Sequence, residues 1–484
     1  MENISKGWQQ VMDSIWNKEV KINEKQELIG SFDTEVLIIG AGMAGILTAY
    51  YLREKGVDAV VLEKDRIAGG ITGNTTAKIT SQHGLIYHKL INYHGMEAAK
   101  LYAMANEEAV DEYENLIKNR NINCHFERLS SYLYSTEGTD NLEKELKAAK
   151  DVGINAEFTT KSELPFDIKG AVRFKGQAQF NPLEFINGIT DDINIYEKTK
   201  VIDVRKHTAY TDMGTIKAKN IVFATHYPFV NIPGFYFLRQ HQERSYVLAL
   251  ENAGKLNSMY YGIDKDGLSF RNLGNIMLLG GGSHRTGEAE SSLAYVRLKH
   301  KAKEYYPGSS EITEWSAQDC ITHDRIPFIG RYSKLRPYWY VATGFKKWGM
   351  TSSMVAAGII SDLITGRENK YEKVFTPQRL CIKASGHELL KDVGVSVKGL
   401  AGGHFHMPLK EVKDLQEGQA KIVRLGLKRY GVYKDNLGRI HKISVKCPHL
   451  GCELKWNQNE LSWDCPCHGS RLDYDGNILD GPAQ

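Results

Sequence analysis

Long apolar runs are missing from this chain. None approaches the roughly 20 residues needed to cross a bilayer as a helix, so no membrane-spanning segment is expected. The opening MENISKGWQQVMDSIW has no apolar stretch of the kind that forms a secretory signal, and a cytoplasmic protein is expected. An excess of either charge is missing too. The 62 Lys and Arg against 58 Asp and Glu leave a net +4. With the signs interspersed, there is no electrostatic case for binding nucleic acid. Internal repeats and low-complexity tracts are absent. Cysteine is scarce: of seven in the chain, Cys124, Cys320 and Cys381 stand singly and read as buried, reduced thiols. The other four lie together near the C-terminus. The 484 residues suffice for two or three domains.

TEVLIIGAG (34–42) holds four apolar residues in a row and then glycines, as a buried parallel strand does. MAGILTAYYLREKG (43–56) reads as a helix closed by Gly56, and VDAVVLEKD (57–65) as a second strand. Within this strand–turn–helix–strand unit, GAGMAG sets Gly40, Gly42 and Gly45 at G-x-G-x-x-G spacing, with Ala41, Met43 and Ala44 between them. That context makes a dinucleotide fingerprint. The first glycine turns the chain, the second lets a pyrophosphate approach the backbone, and the third lets helix and strand pack. The helix N-terminus then faces the phosphates. Glu63, eighteen residues after Gly45, is placed to accept from ribose hydroxyls, and Lys64 follows it. The fingerprint alone does not choose between FAD and NAD.

Helical patterns follow over 96–118 and 141–152. Residues 170–285 hold the strand-like runs TKVIDVRKHTAYT, NIVFATH, SYVLALE and NIMLLGGG. WYVATGF is a further buried strand, and GMTSSMVAAGIISDLITG a helix ending at Gly366. Residues 1–32 read as an arm lying on the main domain. Residues 367–407 are charged and then glycine-rich, as a connector is. From about 408, short strands and turns give an all-β pattern. The boundary is expected near 385, with one unit over 1–384. The connector and a second domain then occupy 385–484, its core at about 408–484.

KCPHLGCELKWNQNELSWDCPCHGS (446–470) offers Cys447 and His449 as C-x-H, then Cys465 and His468 as C-x-x-H, with fifteen residues between the pairs. Tetrahedral zinc accepts two Cys and two His, but structural zinc sites usually pair C-x-x-C with two histidines. One Cys and one His on each of two loops suits a [2Fe–2S] cluster whose irons are ligated by two thiolates and two imidazoles.

CPHLGC and CPCHGS match the two loops of the Rieske family residue by residue, and the resemblance covers roughly 408–484. It implies that Cys447, His449, Cys465 and His468 hold the cluster. It also implies a loop-to-loop disulfide between Cys452 and Cys467, and a hydrogen bond from Ser470 to a cluster sulfur. LDGPA (479–483) resembles the loop that covers the cluster. High-potential members carry a Tyr where Leu472 stands, so a potential below the top of the range of about −150 to +300 mV is expected. At the other end, GGITGNTTAKIT (69–80), NIVFATH (220–226) and VATGFKKWGMTSS (341–353), in that order, resemble the FAD-dependent D-amino acid oxidase-like (DAO) family over roughly 33–365. The resemblance selects FAD. It implies cofactor contacts at Gly70, Thr72, Asn74, Thr75, Lys78, Ala224 and Thr225, with Val201 at the adenine. Gly344, Trp348, Gly349, Met350 and Thr351 fall at the isoalloxazine. The fold so implied is α/β: a Rossmann-like FAD-binding domain with an interleaved mixed-sheet substrate domain, of DAO or glutathione-reductase type, plus a C-terminal all-β Rieske domain.

A flavin and a Rieske cluster in one chain form a two-to-one electron converter. The expected enzyme oxidises a small organic substrate, an amine or amino acid, and hands electrons singly to an external carrier. The alternative runs the current backwards, from a redox partner through the cluster to a flavin monooxygenase or reductase; a redox sensor is a third reading. A second nucleotide fingerprint is missing, since GGGSHRTG (280–287) has the wrong spacing. A carboxylate substrate would want a bidentate Arg. Arg285 and Arg325 are the candidates, each weighed against a surface or interdomain ion pair. His226, at a position often Gly in the family, is a candidate at the flavin edge, weighed against a packed, hydrogen-bonded histidine, and Tyr246 is a candidate facing the substrate cavity, weighed against core packing. His284 and His323 are weaker ones. The absence of a basic residue at Thr351 counts against a simple amino acid.

Overall fold

The computed structural model describes residues 13–288, 293–379 and 415–483, except 427, together with the single positions 381, 386 and 394. The expected connector and the boundary near 385 lie largely outside the described residues. Of the N-terminal arm, Ser14 caps a short helix, Ile15–Glu19. Trp16 is fully buried, and its indole N–H donates to Thr75 O. Within the described part of the arm, Ile15 and Trp16 therefore belong to the core.

β1 (Phe32–Ile39) leads through the glycine turn into α1 (Met43–Glu54), which returns the chain to β2 (Ala59–Leu62). β2 pairs parallel with β1, Val36 opposite Ala59 and Ile39 opposite Leu62. β3 (Thr215–Phe223) pairs parallel on the other side of β1. Val36, Leu37 and Ile38 are completely buried, as a strand covered on both faces requires.

The long strands β4 (Gln240–Glu251), β5 (Ile276–Arg285) and β6 (Ser310–Thr322) belong to a second sheet of nine strands. β4 is central to this end of it and pairs antiparallel with both β5 and β6. The sheet is mixed, because Ser258–Gly262 runs parallel to Glu127–Ser135. The chain then returns to the first sheet, where β7 (Arg336–Thr343) pairs parallel with β3, and α2 (Gly349–Ile364) packs against α1. The run TKVIDVRKHTAYT is not one strand. It folds as a hairpin, Val201–Arg205 and Thr208–Thr211, that turns at Lys206 in a left-handed conformation.

The C-terminal segment forms two small antiparallel sheets, one of three strands over 420–444 and one of four over 455–480. Its core gathers Ile443, Leu454, Trp463 and Leu472 around Cys447, Cys452, Cys465 and Cys467. A Cβ on Gly431 would stand 2.6 Å from the Trp463 ring, so glycine there lets the indole lie on backbone.

Candidate active site

A cavity of about 680 Å³ lies across the C-terminal ends of β1, β2, β3 and β7. Open parallel sheets place ligands there, and the size falls within the roughly 300–1,000 Å³ of small-molecule sites. The glycine turn builds one end. Gly40 has φ +106°, and a Cβ on it would stand 2.6 Å from Ala224 O. On Gly45 a Cβ would fall 1.9 Å from Gly40 O, so this glycine lets α1 seat on the turn. Gly42 faces the cavity. α1 begins without a side-chain cap, as suits a helix whose N-terminal amides serve an anion. Glu63 braces the turn, its carboxylate accepting from the N–H of Ala41 (2.8 Å) and of Asp65 (3.0 Å). Burial pushes its pKa up.

Most residues expected at a cofactor converge here. Gly40, Gly42, Met43, Ala44, Glu63, Lys64, Gly70, Thr72, Asn74, Thr75, Lys78 and Val201 line the cavity, as do Ala224, Thr225, Gly344, Trp348, Gly349 and Met350. Ala41, Gly45 and Thr351 do not. Ala41 and Gly45 act behind the turn, and the Thr351 hydroxyl is within 3.2 Å of His83 Nε2 and donates to Thr80 O (3.3 Å). Lys78 is fully buried, its ammonium donating to Tyr260 O (2.9 Å). Burial, with Arg271 nearby, brings its pKa down to about 7.

His226 and Tyr246 also line the cavity. His226 has φ +63°, which explains why glycine suits that position, and its Nε2 is buried without a partner. Burial lowers its pKa, so the ring is neutral. Tyr246 stacks on His284, which accounts for that histidine, and burial pushes its phenol up to about 12. Arg285 and Arg325 correct the expectation, because neither reaches the cavity. Arg285 donates instead to the carbonyls of Pro466 (3.3 Å) and Cys467 (3.5 Å), an interdomain contact. Arg325 sits in a left-handed turn with its carbonyl taken by Lys346 Nζ (3.2 Å). His323 is buried beside His241, outside the cavity lining.

The guanidiniums that do face the cavity are Arg244 and Arg471, and both are ion-paired. Glu460, from the C-terminal domain, accepts from Arg244 and from Ser316 (2.6 Å), and pairs with Arg471 (3.0 Å). Arg471, Asp480, Gly481 and Ala483 complete that wall. The C-terminal domain therefore closes the cavity. Asp319 also lines it, and burial pushes its pKa up to about 7 against the pull of Lys347. Arg244, Gln318, Asp319 and Glu460 escaped the sequence reading, since only pairing between distant segments brings them together.

The second centre sits in the same wall. Cys452 and Cys467 are disulfide-bonded, which leaves Cys447 and Cys465 as the thiols of the cluster loops. The Cys447 thiol is held below its ordinary pKa, first by its hydrogen bond with Cys465 and then, against burial, by Ser470. The rings of His449 and His468 lie 4.9 Å apart. His449 Nε2 lies 3.1 Å from Asn231 Oδ1, an acceptor, while its Nδ1 is buried without a partner. Burial lowers its pKa to about 4, so a neutral imidazole directs an unused lone pair inward. Two thiols, this ring and the neighbouring ring of His468 fit a cluster with mixed ligands. The Ser470 hydroxyl also accepts from Ala483 N–H (3.2 Å), so the LDGPA loop lies over the site.

The model of FAD-dependent oxidoreductases of the DAO family matches residues 35–363. The chain belongs to the DAO family of FAD-dependent oxidoreductases. The Rieske [2Fe-2S] model matches residues 405–484, so this family member carries a Rieske domain, and its cofactors are FAD and a [2Fe–2S] cluster. A Bacillus subtilis (strain 168) protein named for its Rieske 2Fe-2S centre, YhfW, is 34% identical over 97% of this chain and 96% of its own. Glycine oxidase from Geobacillus kaustophilus superposes with a TM-score of 0.61 at 19% identity, over 72% of this chain and 99% of that one. L-Proline dehydrogenase from P. horikoshii gives 0.61 at 16%, over 73% and 98%. These two show the fold. No described helix is long and apolar enough to cross a membrane.

Proposed function

We propose that this DAO-family enzyme is a dehydrogenase that oxidises a small amine in the cavity beneath the Rieske domain and passes the electrons singly, through the cluster, to an external carrier. The observation that carries the reading is the shared wall: the loop bearing Cys465 and His468 rests on β4 and β6, the strands that border the cavity. Bound FAD supplies two-electron oxidation, and the cluster supplies one-electron transfer.

In this reading Gly40, Gly42 and the start of α1 receive the pyrophosphate, Glu63 the ribose and Val201 the adenine. Thr72, Asn74, Thr75 and Lys78 hold the ribityl chain and ring edge, and Gly344 with Trp348, Gly349 and Met350 flanks the isoalloxazine. Cys447, His449, Cys465 and His468 hold the cluster. The fold neighbours named above act on glycine and L-proline, which supports a substrate with a C–H bond next to nitrogen. Glu460 already pairs the charge of Arg244, so an amine without a carboxylate suits the cavity better than an amino acid. His226, neutral and with an unused nitrogen, and Tyr246 orient the substrate. The cytoplasm is the compartment we propose: Cys124 and Cys320 are buried, unpaired thiols, and the Cys452–Cys467 disulfide is buried beside the cluster loops, where it is shielded from reductants.

The test is anaerobic. Amines, amino acids and NAD(P)H are added separately while flavin absorbance and the EPR of the cluster are recorded. An amine that bleaches the flavin and then brings up the cluster signal is the expected outcome. If every organic donor leaves the flavin oxidised, and only a reduced redox protein fills the cluster and then the flavin, the current runs the other way.

A further inference from the structure

The contact between the two domains is polar, buried and built from both sides. Gln242, on β4, donates to His468 O (2.8 Å). Gln318, on β6, donates to Gly469 O (2.9 Å) and to Asp480 (3.2 Å), and its own carbonyl is fixed by Thr286 Oγ1 (2.8 Å). Both glutamines are buried. Arg285 adds donors to Pro466 O and Cys467 O. Four successive carbonyls of the second cluster loop, 466–469, are thus held by the flavin domain. Two glycines permit the approach. A Cβ on Gly469 would stand 2.7 Å from Gln242 Cβ, and one on Gly287 would stand 2.6 Å from Pro466 N. On the histidine side, Asn231 accepts from His449, and the Phe237 ring lies edge-on to both imidazoles at 6.2 and 5.7 Å. Burying so many backbone carbonyls costs free energy unless each is matched, and here each is matched.

We infer that Gln242, Gln318, Arg285 and Gly287 form an intrachain electron-transfer dock, which holds the Rieske loop 465–469 against the wall of the flavin cavity so that electrons cross within one polypeptide. These are positioning residues. The inference rests on the proposed flavin-to-cluster direction but names no substrate. In the step itself the reduced flavin loses one electron, and the diferric cluster gains it and becomes mixed-valent. The next electron waits until a one-electron acceptor reoxidises the cluster.

The experiment uses the full chain with both cofactors, under argon. A laser flash in the flavin band, with EDTA as electron donor, reduces the bound flavin through its own excited state, so neither an organic substrate nor a diffusing reductant that would also reach the cluster is needed. Cluster reduction is then followed by EPR after rapid freezing. Gly287→Asn is the main variant. Gly287 has φ +80°, which Asn tolerates better than other side chains, so the strain is small and the wedge against Pro466 remains. Gly274→Asn, at φ +54° with nothing within 4 Å, is the control.

In the native chain and the control, cluster reduction is expected to be independent of protein concentration. In Gly287→Asn and Gln242→Ala it is expected to slow severalfold, because the electron then crosses a longer gap. Flavin content and the EPR line shape of the chemically reduced cluster should not change. A second readout needs no cofactor: hydrogen exchange over 463–471 in the iron-free chain should rise in both variants and not in the control. Rates equal to native in both variants, or a native rate that scales with protein concentration, overturn the inference. An amine panel that fails to reduce the flavin overturns the proposed function and leaves this measurement intact.

Discussion

Glu460 carries one of the few charges buried across the domain contact, and its neighbours decide its worth. Burial alone would push its carboxyl up; Arg244 and then Arg471 overcome that and hold it at about 2. Truncating a buried pair leaves the remaining charge without compensation. Glu460→Gln is therefore expected to destabilise the protein by about 3 kcal/mol at pH 7, measured by urea denaturation. The sign of the pH dependence follows from linkage. A carboxylate with a depressed folded pKa adds stability that is complete above its ordinary 4.5 and drains away as pH falls toward 2. The gap between native and variant should thus narrow between pH 5 and pH 3, and a gap constant over that range would show that Glu460 is not held by the arginines. Gly42 makes a separate case. A Cβ there meets only the Thr72 hydroxyl, at 3.3 Å, so Gly42→Ala should fold, yet it narrows the cavity where a pyrophosphate would lie. The expected result is flavin absorbance per purified chain reduced by at least half, with the far-UV circular dichroism unchanged.

At the scale of elements, β4 and β6 show what a single sequence reveals. On β4 the alternate residues Gln240, Gln242, Arg244 and Tyr246 are all buried. Antiparallel register sets Arg244 opposite Gln318 and Tyr246 opposite Ser316. Half-buried strands usually alternate apolar with polar. Here the buried face near the N-terminal end of β4 is itself polar, because its partners are polar too: Gln240 meets Thr343, Gln242 the carbonyl of His468 and Arg244 the carboxylate of Glu460. No apolar alternation is visible in QHQERSY, and the partners of Gln242 and Arg244 lie more than 200 residues away, so nothing local in sequence announces the buried face. Local geometry was legible: the glycine turn, α1, α2 and the paired C-x-H and C-x-x-H loops all need particular residues at particular spacings. Arg285 stayed open between a substrate ligand and an interdomain contact, because an arginine beside glycines looks the same whether it meets a substrate or a backbone carbonyl, and the structure shows the second. The disulfide belongs to this scale, since it ties the two cluster loops across a sequence separation of 15. A loop of that length corresponds to about 3 kcal/mol of lost chain entropy. Replacing Cys452 and Cys467 together by Ser should lower the stability of the Rieske domain by about that amount. Loss of the cluster EPR signal at lower urea than in the native chain is the measure; an unshifted midpoint would mean that the two small sheets hold the loops without help.

Across the whole molecule, the proposed function has the two centres divide the work because the cofactors accept electrons in different numbers. In that proposal a substrate C–H bond gives up two electrons at once, and a one-electron carrier cannot take them together. The contact that supports it is the cavity wall: β4 and β6 border the cavity on one side and hold the loop 465–469 on the other. Cys465→Ala tests whether the division is real. The Cys465 thiol is buried under the wall, not in the cavity lining, so flavin content and the rate at which an amine bleaches the flavin should stay near native. The EPR signal should vanish, and steady-state reduction of cytochrome c, a one-electron acceptor, should fall at least tenfold. If cytochrome c turnover survives loss of the cluster, the flavin reaches the acceptor directly and the Rieske domain serves as a lid. If flavin bleaching itself slows, the cluster loop shapes the substrate cavity, and Glu460 and Asp480 become the residues through which it does so.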